Sequence, residues 1–273
     1  MDGRQPDFMN NKTQSSDPEP RQPVALITGS AAAGRLGNAI AWHLAERNYR
    51  LVIHANRSVE DAKRCVNEMK GRQIQAISHV ADLTDEASVA RLFADISEQY
   101  GEIDVLINCA SIWERLGLWE TTAEDVRRHF EVNTLATFLC CQAAGKKMVQ
   151  QESGGVILNF GDWATIRPYR DYAAYFASKG SIETLTRDFA IELAHRNPRI
   201  RVNAVLPGPV TLPPDVPDEV RRDARATALL DTPGTPAHIV HAVMFLLEND
   251  LITGVCLPVD AGRSVFAPTD HWR

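Results

Sequence analysis

The stretch VALITGSAAAGRLGNAIAWHL, residues 24–44, runs from a short β-rich apolar segment through three glycines into a segment of helical period. Gly29, Gly34 and Gly37 stand between the two, where small residues let backbone amides and a helix N-terminus approach a pyrophosphate. A glycine-rich turn alone is also an ordinary tight turn. The strand before it and the amphipathic helix after it supply the context that dinucleotide binding requires.

The same alternation continues along the chain. Short β-rich runs at 24–28, 51–55, 74–80, 103–108, 155–160, 201–206 and 255–259 are separated by stretches long enough for crossover helices, about 35–48, 58–71, 85–100, 123–151, 172–197 and 236–248. This pattern predicts an α/β fold, a doubly wound, mostly parallel sheet of about seven strands with helices on both faces. Thr84 before Asp85 and Glu86 reads as a helix start, and Thr235 before Pro236 as an N-cap followed by proline at the first helical position. No solenoid repeat or Gly/Ser-rich linker divides the core, so one domain is expected over 23–273. Residues 1–22 are polar, have almost nothing to bury and are expected to form a disordered tail.

Composition narrows the function. The 273 residues include 44% hydrophobic and 23% charged side chains, ordinary globular usage that excludes global disorder, a collagen-like chain and a pure coiled coil. Lys and Arg number 29 against 35 Asp and Glu, a net charge of -6 opposite to the basic footprint of nucleic-acid binding. Cys65, Cys109, Cys140, Cys141 and Cys256 are odd in number and scattered, suggesting neither a disulfide framework nor a metal site, and a reducing cytoplasm is expected. No apolar run has the length of a membrane span, and the N-terminus has no apolar signal core.

Further candidates lie at the ends of the predicted strands. After the second strand the chain reads Asn56-Arg57-Ser58, where an acid would accept hydrogen bonds from the ribose hydroxyls of an unphosphorylated cofactor. The guanidinium of Arg57 suits a 2′-phosphate instead, so NADPH is expected over NADH; the plainer alternative is a solvated arginine. Asp82-Leu83 follows the third strand and Asn108-Cys109-Ala110-Ser111 the fourth, at carboxyl ends where ligands of open α/β sheets sit, although each segment also suits a turn. Tyr175 and Lys179, four apart in a predicted helix, share one face. A lysine held close to a phenol stabilises the phenolate and draws the tyrosine toward working pH, whereas a lone pair at this spacing equally serves packing.

In combination, TG…GRLG, the NCAS segment, Asn133, YxxxK and Pro207-Gly208 resemble the short-chain dehydrogenase/reductase family from about Val24 to Gly262. The resemblance implies a single Rossmann-fold domain in which Tyr175 donates a proton, Lys179 binds the nicotinamide ribose and lowers the tyrosine pKa, and Asn133 supports a water-linked relay. It places Gly29, Arg35, Leu36, Gly37, Asn56, Arg57, Ser58, Asp82, Leu83, Asn108, Ala110, Ser111, Pro207 and Gly208 around the cofactor. It also implies a homotetramer with contacts on the helices near 123–151 and 172–197.

Two departures refine the resemblance. The glycine turn is about two residues longer than the usual pattern, yet Arg35-Leu36-Gly37 resembles the ending found in pteridine reductases. At the end of the fifth strand Asp162 stands where most members have a serine, and an ionised carboxylate there repels a developing alkoxide. Its chemistry suits ring N–H groups or passing a proton through tyrosine to a ring nitrogen. HANRS, ASIW and the loop PGPVTLPPDVP are similar to the pteridine-reductase branch, in which an aromatic at Trp113 sandwiches a pterin against nicotinamide. Trp113 equally suits a cover for the sheet edge. Trp163 and Tyr169 are candidates for the same mouth, and Arg167 for an anionic tail or the surface. The leading expectation is NADPH-dependent reduction of a pterin-like C=N bond, with Trp113, Asp162 and Tyr175 contacting substrate. The alternative is a carbonyl reductase acting on a 3-oxoacyl thioester or small ketone, and the third reading is a dinucleotide-binding regulator without turnover.

Overall fold

The computed structural model describes residues 21–210 and 228–265. Seven strands form one sheet: β1 (Val24–Thr28), β2 (Arg50–Ala55), β3 (Ala76–Val80), β4 (Val105–Asn108), β5 (Gly155–Phe160), β6 (Ile200–Pro207) and β7 (Cys256–Val259). Their order is β3-β2-β1-β4-β5-β6-β7 and every pairing is parallel. A parallel sheet is covered on both faces, so its inner strands are continuously apolar. Every residue of β1 is buried, with Ala25 and Ile27 facing one core and Val24 and Leu26 the other, as the two-residue period of a strand demands.

The helices are α1 (Leu36–Ala45), α2 (Val59–Gly71), α3 (Glu86–Tyr100), α4 (Ala123–His129), α5 (Ala136–Met148), α6 (Ala173–Arg196) and α7 (Pro236–Glu248). Side chains from α1, α2 and α7 fill one core, and those from α3, α5 and α6 fill the other. In α3 the buried set Val89, Leu92, Phe93 and Ile96 follows the helical period. Chain order reverses between β1 and β4, and the crevice outside the carboxyl ends of these strands is where an open α/β sheet takes its ligand.

The structure corrects several details. Asp85, not Thr84, caps α3 by accepting from the Ser88 amide, while Thr235 and Pro236 stand where expected. The long helix expected over 123–151 comprises α4, a π-helical segment (Phe130–Leu135) and α5. Residues 1–20 of the expected tail lie outside the described residues, but Arg21 pairs with Glu102 and Asp104 and Gln22 donates to Asn48. The proline-rich loop beyond Val210 and the chain end beyond Val265 lie outside as well. Among the described residues no helix is long and apolar enough to cross a membrane.

Candidate active site

A cleft of about 800 Å³ opens at the β1/β4 switch point. Gly29 follows β1 at φ +65°, and a Cβ there would stand 3.0 Å from the Ala110 Cα, so only glycine fits without strain. A Cβ on Gly37 would lie 2.9 Å from the Gly29 carbonyl oxygen, which explains how closely α1 approaches the turn. Arg35 precedes α1 in extended conformation without a side-chain cap, and the first turn carries no acid. Free helix amides without an opposing negative charge suit a pyrophosphate.

The cleft brings together most of the residues selected from sequence. Gly29, Arg35, Leu36, Gly37, Asn56, Arg57, Ser58, Ala110, Ser111, Pro207 and Gly208 line it, as do Trp113, Asp162, Trp163, Tyr169, Tyr175 and Lys179. Arg35 and Arg57 are exposed at its rim, and no acid pairs with either among the described residues. Ser58 is also the N-cap of α2 and donates to Asp61 at 2.6 Å, which engages its hydroxyl within the protein.

Four candidates stand away from the lining. Asp82 holds the Thr84 amide and hydroxyl, and Leu83 packs into the core. Asn108 donates at 2.9 Å to Asn159, which donates to Thr186, making a buried network between β4, β5 and α6. Asn133, in the π segment, accepts from the Ile112 amide at 2.9 Å and donates to the Ile112 carbonyl and the Ser178 hydroxyl. Its side chain thus clamps the loop after β4 to α6.

At the other end of the cleft, α6 presents Tyr175 and Lys179 one turn apart. The Tyr175 hydroxyl donates to Asp162 Oδ2 at 2.7 Å, while Asp162 Oδ1 accepts from the Ala164 amide at the start of a 3₁₀ turn (Trp163–Thr165). Lys179 Nζ donates to the Phe160 carbonyl at 2.8 Å. Burial pushes the Asp162 carboxyl above the usual range despite its hydrogen bonds and the charge of Lys179. Burial also lowers Lys179 to about 8. The expected lowering of the phenol is reversed: burial and the Asp162 carboxylate raise Tyr175 well above its ordinary value. With Lys179 held on Phe160, the nearest strong influence on the hydroxyl is an acid.

The mouth is aromatic. Trp113, 46% exposed, stacks on Tyr172 with ring centroids 5.1 Å apart and planes 11° from parallel. Tyr169 meets Tyr172 and Phe176 edge to face. The Arg263 guanidinium lies 4.9 Å from the centre of the Trp163 ring, and Arg167 donates to the Arg263 carbonyl at 2.6 Å. Arg167 therefore anchors the segment after β7.

His54 is a residue that sequence reasoning missed. It is fully enclosed within the polar β2–β1 junction: Gly29 N donates to Nδ1 at 3.1 Å, and Nε2 pairs with the Ala81 carbonyl at 3.0 Å. Its signal in the sequence is a polar residue in the otherwise buried apolar run LVIHA.

Residues 29–264 match the family model described as Enoyl-(Acyl carrier protein) reductase. A human protein named 3-oxoacyl-[acyl-carrier-protein] reductase is 33% identical over 239 residues, covering 87% of this chain and 96% of its own. Carbonyl reductase family member 4 of Danio rerio is 32% identical over 240 residues, covering 88% and 97% respectively. A solved structure from Agrobacterium tumefaciens, assigned to gluconate dehydrogenases, superposes with a TM-score of 0.83 at 28% identity, covering 90% of this chain and 97% of that one.

Proposed function

The chain belongs to the short-chain dehydrogenase/reductase family of oxidoreductases, and from that premise we propose that it is an NADPH-dependent reductase of a carbonyl substrate, a 3-oxoacyl thioester or small ketone. The observation carrying this reading is the placement of Tyr175 in the same cleft as the glycine turn, with Lys179 one turn away on α6. The names of the similar proteins favour a carbonyl over the pterin expected first. Arg35 and Arg57 would hold the 2′-phosphate, the amides of the turn and of α1 the pyrophosphate, and Lys179 the nicotinamide ribose. The chemistry a nicotinamide would supply there is a hydride for the carbonyl carbon.

The chain's own residues manage the proton. As the C=O π bond opens, Tyr175 gives its hydroxyl proton to the oxygen, and the Lys179 ammonium stabilises the phenolate left behind. Asp162 must carry a proton for this step, because its anion would repel the developing alkoxide; burial favours that state. Protonated Asp162 then returns a proton to the phenolate along the 2.7 Å contact and regains one from solvent at the cleft mouth, a path that a serine hydroxyl at this position can also serve.

The Tyr175–Asp162 contact itself favours a second reading, reduction of a pterin-like C=N bond, in which the carboxylate accepts from ring N–H groups and Trp113 stacks on the ring. NADPH oxidation with a 3-oxoacyl thioester, a small ketone and 7,8-dihydrobiopterin, with NADH as control, separates the two. We expect carbonyl turnover, at least tenfold preference for NADPH, and Asp162→Ser keeping carbonyl activity within about tenfold. Dihydrobiopterin turnover alone, lost more than 100-fold in Asp162→Ser, overturns the carbonyl reading.

The assembly we assign is a homotetramer formed through α4, the π segment and α6, where Val126, Phe130, Leu135 and Ile191 expose apolar side chains. The five free thiols support a reducing cytoplasmic location.

A further inference from the structure

In the nucleotide half of the cleft one lining ring, His54, ties the wall to the structure behind it. The wall is the turn after β1, whose Gly29 amide donates to His54 Nδ1 at 3.1 Å. Behind it runs the segment after β3, whose Ala81 carbonyl pairs with Nε2 at 3.0 Å. Since an amide N–H can only donate and a carbonyl can only accept, the ring must be neutral with its proton on Nε2. The surrounding backbone tightens the same joint: Ser30 N donates to the His54 carbonyl at 3.0 Å, and His54 N donates to the Ser30 hydroxyl at 3.2 Å.

We propose that His54 is a positioning residue for the dinucleotide, a neutral imidazole that sets the spacing between the glycine turn and the loop after β3. This inference rests on the nucleotide-binding reading above. His54 does not touch the cofactor's reacting end; it acts through Gly29, whose positive φ commits the turn to one path. Protonating Nδ1 would set an N–H against the Gly29 N–H and release that wall.

The ring resists that change. Burial, helped by His79 opposite it on β3, lowers its proton affinity to about 4, with the Ala81 contact and Asp82 opposing the shift. His79 is itself paired with Asp95 of α3. Arg35, the residue before α1, is exposed at the rim, and the first helical turn carries no acid.

The two contacts are separable by substitution. His54→Asn places an amide oxygen where Nδ1 was, preserving the Gly29 contact, and does not titrate. His54→Gln reaches toward Ala81 and loses the Gly29 acceptor. NADP+ affinity is measured by tryptophan fluorescence from pH 7.5 to 4.5 for wild type and both variants, with thermal melts to establish folding. We expect His54→Gln to weaken NADP+ at pH 7.5 by at least tenfold and His54→Asn by less than threefold. Because the neutral ring is the working form and titrates only near 4, the wild-type-to-His54→Asn affinity ratio should stay within about 1.5-fold down to pH 4.5; the 2′-phosphate's own titration is common to both and cancels in the ratio. If His54→Gln does not fold, His54→Leu, which also lacks the Gly29 acceptor, takes its place with the same expected loss. A ratio that falls more than threefold by pH 5.5, or affinities equal to that of His54→Asn in the variant lacking the acceptor, overturns the positioning role while leaving the nucleotide reading intact. Wild type binding neither NADP+ nor NAD+ overturns both.

Discussion

Lys179 illustrates how one residue's function opposes its stability. It is enclosed, and its proton affinity falls from 10.5 to about 8. The unfolded chain therefore binds the extra proton between pH 8 and 10.5, so burial of the charge costs stability fully below about pH 8 and ceases to do so as pH rises through 10.5. The difference corresponds to about 3 kcal/mol, reduced by roughly 1 kcal/mol for the bond to the Phe160 carbonyl. Lys179→Met is expected to stabilise the fold by about 1–2 kcal/mol at pH 7 and to reduce turnover more than 100-fold. Urea melts at pH 7 and 10.5 check the first effect, whose gain should shrink at the higher pH. Tyr175 and Lys179 were legible in sequence because i and i+4 share a helix face, but that spacing did not reveal that the phenol would meet Asp162 and the ammonium a carbonyl.

At the scale of an element, the π-helical segment is the consequential irregularity. Its widened turn carries Asn133, whose amide clamps both polar groups of Ile112 and reaches Ser178 on α6. The clamp connects the loop bearing Ser111 and Trp113 to the helix bearing Tyr175. Asn133→Ala leaves the half-buried Ile112 amide without this acceptor, an expected loss of about 1–2 kcal/mol by denaturant melting. Its kcat/KM should fall at least tenfold with NADP+ affinity within twofold of wild type, since the glycine turn is not part of the clamp. Equal losses in binding and turnover would contradict that division. The sequence pattern showed a long apolar-periodic stretch over 123–151, but not the extra residue per turn, which depends on the bonds Asn133 makes with elements remote in sequence.

Across the whole molecule, the reversal of strand order between β1 and β4 assembles segments from residue 29 to residue 210 at one edge of the sheet. That edge holds the cleft, leaving the outer faces of α4 and α6 for the proposed subunit contact. Phe130 and Ile191 are exposed in the single chain, so charging them should leave its fold intact. Phe130→Glu with Ile191→Asp is expected to convert a sedimenting tetramer to smaller species with the thermal melt within a few degrees of wild type. A wild-type monomer, or a double variant that still sediments as a tetramer, would remove these helices from the interface.

Fold class, strand number and the approximate extent of the helices were determined by the sequence alone, because side-chain periods of two and 3.6 and glycines at turns are local properties written along the chain. The glycine turn and the Tyr175–Lys179 spacing were legible for the same reason. Tertiary structure decided what each polar group touches: Asn108 enters a buried network, Ser58 caps a helix, Asn133 clamps two elements, and His54 ties the glycine turn to the segment after β3. It also reversed the expected direction of the Tyr175 shift. Hydrogen-bond partners and desolvation arise from groups brought together across the fold, so the charge state of a site is settled only when the distant chain segments meet.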